Sequence, residues 1–136
     1  WQLRLANGLD IELGRDLAPV AGKPYVVFHD ALQYFELRYG LKSAGSIAVS
    51  PEVPPSARRL RALRARIGQG GAECVFAEPQ FSRRAAEIIA REIGGRVEIL
   101  DPHGSPDVPE RSNYLELMRF NTRAIAGALS DTPPAP

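Results

Sequence analysis

Four short apolar runs punctuate the chain: Tyr25–Phe28, Ser46–Val49, Cys74–Ala77 and Val97–Leu100. Each is about four residues long and apolar on both faces, the pattern of a parallel strand covered from two sides. Between them the hydrophobic period changes. Residues 30–39 place Leu32, Phe35 and Tyr39 at i, i+3, i+7. Residues 56–67 set Leu60, Leu63 and Ile67 on one face, with Arg58, Arg59, Arg61, Arg64 and Arg66 around the rest. Residues 82–93 carry Ala86, Ile89 and Ile93, and residues 113–129 carry Tyr114, Leu117, Met118, Ile125 and Leu129. These spacings predict helices. Ser56 is placed to cap the second of them, while Gly40, the glycines of 68–71 and Gly94-Gly95 are placed as stops. At the amino end Leu5, Leu9, Leu13 and Leu17 recur every fourth residue, yet residues 9–13 also alternate like a strand. Frequent Ala and Leu favour helix there, although Gly8 and Gly14 weaken it. The order α-β-α-β-α-β-α-β-α predicts an α/β fold: a four-stranded parallel sheet, doubly wound, with helices on both faces. Residues 101–113, DPHGSPDVPERSN, read as a loop, and residues 131–136 as a disordered tail.

Composition narrows the function classes. A chain of 136 residues is one small domain, long enough to bury a core without disulfide or metal staples. A formal net charge of +1 gives no reason to expect nucleic acid or an anionic membrane as partner. No apolar run approaches the roughly 18 residues of a membrane span. The first residues, WQLRLANGLDIELGRDL, lack the basic start and apolar core of a secretory leader. The single cysteine, Cys74, excludes an internal disulfide.

In open α/β sheets ligands bind beyond the carboxyl ends of the strands, near the point where strand order reverses. The residues just after each predicted strand are therefore the ones to read. His29 and Asp30 follow the first, Ser50 and Glu52 the second, Glu78 and Gln80 the third, and Asp101 and His103 the fourth. Each has a plain structural reading. Asp30 suits an N-cap, Glu78 a turn acceptor before Pro79, Asp101 a turn opener before Pro102, and His103 a solvated loop position. Cys74 suits an inert core thiol, and the five arginines a solvated helix face. Taken together, imidazole and carboxylate at one sheet edge suit a site for Zn²⁺ or Mn²⁺. Two ligands, or three with His103, are too few for a tight four-coordinate shell, so the remainder has to come from elsewhere. No Gly-rich phosphate loop, G-x-S-x-G elbow, cysteine pair or H-E-x-x-H is present. A small α/β hydrolase using His29 as base with Asp101 or Glu78 is the enzymatic alternative, and it lacks an evident nucleophile or oxyanion loop. An interaction domain built on the arginine-bearing helix is a third reading.

Four segments carry a family resemblance. LAPVAGKPYVVFHDALQYFELRYGL (17–41), VSPEVPPSARRLRALR (49–64), CVFAEPQF (74–81) and LDPHG (100–104) resemble the carboxy-terminal lobe of the zinc-binding solute-binding proteins of bacterial ABC importers. The family fold is two α/β lobes joined by a long rigid helix, with the metal in the cleft between them. The resemblance implies that residues 1–19 end the connecting helix, that residues 20–130 form the carboxy-terminal lobe, and that the function is periplasmic zinc delivery rather than catalysis. The implied partners are the zinc ion, the amino-terminal lobe of the same receptor and an ABC permease in the membrane, with no nucleic acid. His29 matches the lobe's histidine ligand, the amino-terminal lobe supplying two more. Manganese-type relatives carry a carboxylate there, so His29 points to zinc, with a manganese receptor lobe as the alternative. Asp101 matches a carboxylate ligand of the manganese-type relatives; in zinc members it lies near the metal. Asp30 and Glu78 are then supports behind the ligands and His103 an accessory donor. The lobe alone is expected to bind zinc weakly or not at all. Many members join the Cys74 position to the last helix by a disulfide; with no cysteine in 113–129, Cys74 is expected as a free thiol.

Overall fold

A computed structural model describes residues 2–50 and 52–130. The disordered tail expected at 131–136 lies outside the described residues. Among the described residues the elements run α1 (Gln2–Leu17), a 3-10 turn (Ala18–Val20), β1 (Pro24–Val27), α2 (Gln33–Tyr39), β2 (Lys42–Ser46), α3 (Ala57–Gly70), β3 (Cys74–Ala77), α4 (Arg84–Ile93), β4 (Arg96–Ile99), a second 3-10 turn (Pro109–Arg111) and α5 (Tyr114–Leu129). The strands form one sheet in the order β2-β1-β3-β4, and every pair is parallel. This is the predicted fold class. No helix among the described residues is long and apolar enough to cross a membrane.

Strand alternation divides the core into two layers. Val26, Phe28, Val75 and Ala77 point to one face, where they pack with Leu63 and Ile67 of α3 and Ala86, Ile89 and Ala90 of α4. Tyr25, Val27, Cys74 and Phe76 point to the other and meet Leu17, Val20, Ile125 and Leu129. Burying a side chain such as Ile89 stabilises the fold by about 1.5–3 kcal/mol. The amino-terminal segment is a helix, as its leucine spacing favours. Leu9, Leu13 and Leu17 are buried, and Glu12 receives Nε and Nη2 of Arg119 on α5 at 3.0 and 3.1 Å.

The predicted second strand, Ser46–Val49, is displaced: β2 spans Lys42–Ser46. As an edge strand it tolerates polar residues that the apolar-run criterion passes over. Ile47 and Ala48 still extend the ladder, their amides bonding the carbonyls of Val27 and Phe28 at 3.0 and 2.8 Å. Register against β1 slips between Tyr25 and Val26, opposite Gly45, whose φ is +155°. A Cβ at Gly45 would lie 2.8 Å from Leu63 Cδ1, so the bulge needs glycine.

Asp30 is not the cap of α2. The N-cap is Leu32, with no side-chain bond, and Asp30 is exposed. Residues 29–31 are used in turning the chain, the Ala31 amide bonding His29 O at 2.9 Å, so the helix starts too late for Asp30 to reach it. Ser56 does cap α3, accepting from the Arg59 amide at 3.1 Å, and Gly40, Gly71 and Gly94 close α2, α3 and α4 in the left-handed conformation. Cys74 is free and buried in β3, and burial pushes its thiol up to about 12.

Candidate metal site

Strand order reverses at β1: the chain crosses to β2 on one side and then returns to β3 on the other. The carboxyl ends of β1 and β3 therefore flank the crevice of a doubly wound sheet. His29 follows β1 and Glu78 follows β3. The two side chains meet there: Nδ1–H of His29 donates to Glu78 Oε2, although 49 residues separate them. Both are well covered, with 14% and 5% of their side-chain surfaces exposed. Phe28 stacks on Phe81 at 5.8 Å and forms an apolar wall beside the imidazole. With Nδ1 committed, Nε2 is the ring nitrogen available to a metal, in an orientation fixed by the carboxylate behind it.

Glu78 is held uneasily. Burial raises its carboxyl above the ordinary range, and the hydrogen bond and charge of His29 offset only part of this. Its second oxygen, Oε1, is buried without a partner. The pocket shared by Phe28, His29, Ala31, Leu32, Glu78, Leu100 and Pro102 offers about 10 Å³, room for one water at most.

Asp101 follows β4 and is 0% exposed. Its Oδ1 accepts from Gln80 Nε2 at 3.1 Å and from the amides of His103 and Gly104 at 3.1 and 2.9 Å; its Oδ2 accepts from Arg111 Nη1 at 3.0 Å. Burial alone would raise this carboxyl. The bonds from Gln80 and the two amides, with the charge of Arg111, outweigh it and hold the group below the ordinary 3.8. Asn121 of α5 clamps the Asp101 backbone from behind, accepting from its amide and donating to its carbonyl, each at 2.8 Å. Gly104, at φ +80°, allows the tight return; a Cβ there would sit 3.0 Å from the Arg111 carbonyl.

The sequence-derived set thus separates. His29 and Glu78 are joined, and Asp101 lies close enough for its charge to raise Glu78 further. His103 is exposed and holds Asp101 through its backbone amide; its charge also reaches Glu78. Asp30 lines a different cavity of about 410 Å³, with Glu36, Ser46, Arg59 and Arg66. Gln80 stands after β3, where the sequence places it, but its bond to Asp101 was not foreseen, and Arg111 and Asn121 were not singled out from sequence. Asn121 left a signal: Leu117, Asn121, Ile125 and Leu129 recur every fourth residue, so a polar residue sits in the buried stripe. Arg111, in a polar loop, left none.

Among the described residues no three His, Cys, Asp or Glu side chains are grouped as a metal site. Nor does any hydroxyl or thiol among them hydrogen-bond to His29, as a hydrolytic nucleophile would. A cavity of about 650 Å³ opens at the amino-terminal end of the strands, lined by Lys23, Pro24, Glu73 and Arg96, and holds none of the site residues.

Comparison with known proteins places the chain in a family. The profile of the family described as "Zinc-uptake complex component A periplasmic" matches residues 4–128. A high-affinity zinc uptake system protein ZnuA of Brucella suis is 40% identical over 124 residues, covering 91% of this chain and 37% of that protein. A crystal structure of ZnuA superposes with a TM-score of 0.79 at 33% identity, over 94% of this chain and 47% of the other. A zinc-bound ZnuA deletion mutant does so at 0.75 and 32%, over 96% and 47%. The chain thus spans 37% of the length of that curated relative. It belongs to the zinc-uptake complex component A family of periplasmic proteins.

Proposed function

We propose that this chain is the carboxy-terminal lobe of a two-lobed periplasmic zinc receptor, which hands Zn²⁺ to an ABC permease without covalent chemistry. Residues 1–19 are the end of the connecting helix, residues 20–130 the lobe, and the metal is cargo held in the cleft at the carboxyl edge of the sheet. One observation carries the reading: His29 stands at the switch point with Nδ1 held by buried Glu78, which leaves Nε2 as the ring nitrogen that can face a metal. Neutral imidazole suits zinc, and binding weakens on acidification because the ligand must be deprotonated. Asp101 is the second candidate ligand. Its oxygens reach a metal only by releasing one of the donors that now hold them.

One imidazole and one occupied carboxylate do not complete a four-coordinate shell, so the amino-terminal lobe supplies the remaining donors. Titration calorimetry tests this directly. The 136-residue chain alone should show no stoichiometric tight zinc site. The two-lobed receptor should show one, weakened at least ~100-fold by His29→Ala, beyond what loss of an outer support costs. A nanomolar site in the lobe alone that vanishes in His29→Ala would sink the half-site reading.

A further inference from the structure

Asp101 is a carboxylate at the edge of the proposed metal site, yet it is withheld from it. An ionised carboxylate offers about four lone-pair positions. Four donors meet Asp101: the Gln80 amide nitrogen, two backbone amides and the Arg111 guanidinium. The Arg111 end of this arrangement is rigid. The guanidinium lies over the Phe120 ring at 5.2 Å, and its side chain is only 17% exposed. The Arg111 carbonyl accepts from the Ser105 amide at 3.0 Å, which ties the loop back on itself. A guanidinium does not deprotonate in proteins, so the lock stays closed at any physiological pH.

The chemistry of the withheld group matters. Carboxylate oxygen is the donor that suits manganese, magnesium and calcium, whereas imidazole nitrogen suits zinc. The chain neighbours of Asp101, Leu100 and Pro102, line the small pocket that His29 and Glu78 share, so a released Asp101 would turn an anionic oxygen toward the shell and make the site more hospitable to harder cations.

We propose that Arg111 is a specificity-determining positioning residue: by holding Asp101 it denies the metal an anionic oxygen donor and biases the site toward zinc over manganese. This rests on the reading of His29 as a zinc ligand, and the test separates the two. Zinc and manganese affinities are measured by competition titration in the two-lobed receptor, for the native protein, Arg111→Met, Arg111→Met with Asp101→Asn, and His29→Ala. Arg111→Met should lower the zinc-to-manganese affinity ratio about tenfold, the low end of what outer supports of a metal site do. Adding Asp101→Asn should restore the ratio, which a merely structural role of Arg111 would not do. An unmoved ratio in folded Arg111→Met, or a shift that survives Asp101→Asn, overturns the proposal. If circular dichroism shows that Arg111→Met does not fold, Arg111→Lys takes its place. It keeps the charge but loses the rigid fork, and should give a smaller shift of the same sign; no shift again overturns the idea. Zinc binding that survives His29→Ala removes the ligand assignment. Binding that depends on His29 with an unmoved ratio removes only the role of Arg111.

Discussion

Glu78 and Asp101 end neighbouring strands of one sheet, are both buried, and are treated in opposite ways. Asp101 is surrounded by four donors, and its charge is stabilised. Glu78 has His29 on one oxygen and nothing on the other, and burial pushes its proton affinity up. Burial by itself does not decide what a carboxylate does; the number of donors that face it does. The saturated one is a structural hub, to which the loop after β4, the turn after β3 and helix α5 are all tied. The unsaturated one is a support with a single client, the imidazole.

Removing the hub should cost most. Asp101→Ala strands the Arg111 guanidinium and the backbone donors of the 101–104 turn, so unfolding in urea should show a loss of about 3–5 kcal/mol, the range for breaking a buried pair by deleting one partner. A loss below about 1 kcal/mol would mean that the donors find water easily and that Asp101 is no hub.

Glu78→Gln should behave differently. Gln keeps the shape and removes a charge that the fold disfavours, so stability should change by less than about 1 kcal/mol. Zinc affinity of the two-lobed receptor should fall about 10–100-fold, because the imidazole loses its anionic partner. Equal losses of stability in Glu78→Gln and Asp101→Ala would erase the contrast between the two acids.

The smallest effect is in acid. The Asp101 carboxyl is depressed below its ordinary 3.8, so its stabilisation is present above that pH and lost as pH falls through the folded value. The Glu78 carboxyl is raised above its ordinary 4.5, so its contribution has the opposite sign: present below 4.5 and lost as pH rises through the folded value. Glu36, raised by burial despite its bond from Tyr25, acts in the same direction as Glu78. Stability measured against pH should therefore fall less steeply at low pH in Asp101→Asn, where the depressed Asp10 and Glu12 still contribute, and decline less above 4.5 in Glu78→Gln, where Glu36 remains. Identical pH profiles for the two variants would contradict the opposed shifts.

Much of this molecule was legible in its sequence, for reasons that differ by element. β3 was read to the residue because Cys74–Ala77 is buried on both faces and its apolar run coincides with its pairing. β2 was misplaced because an edge strand need not be apolar, and the run Ile47–Ala48 marks where it dips into the core. Asp30 was misassigned because N-cap preference is local, while the path of the chain past the sheet edge set the helix start at Gln33. His29 and Glu78 could each be named from their places after strands. Their contact could not, since only the strand order brings them together. Arg111 was invisible because a loop arginine carries no periodicity; its role appears only when the loop closes over Asp101.

One feature of β3 reaches beyond the metal. Cys74 is the chain's single thiol, lies in an inner strand and is 1% exposed, out of reach of reagents in solution while the sheet is intact. Its alkylation therefore has to wait for the sheet to open, and the labelling rate becomes an internal clock for that opening in plain buffer. Within these 136 residues a single cysteine leaves no internal disulfide to form, so the labelling readout is free of thiol–disulfide exchange inside the fold.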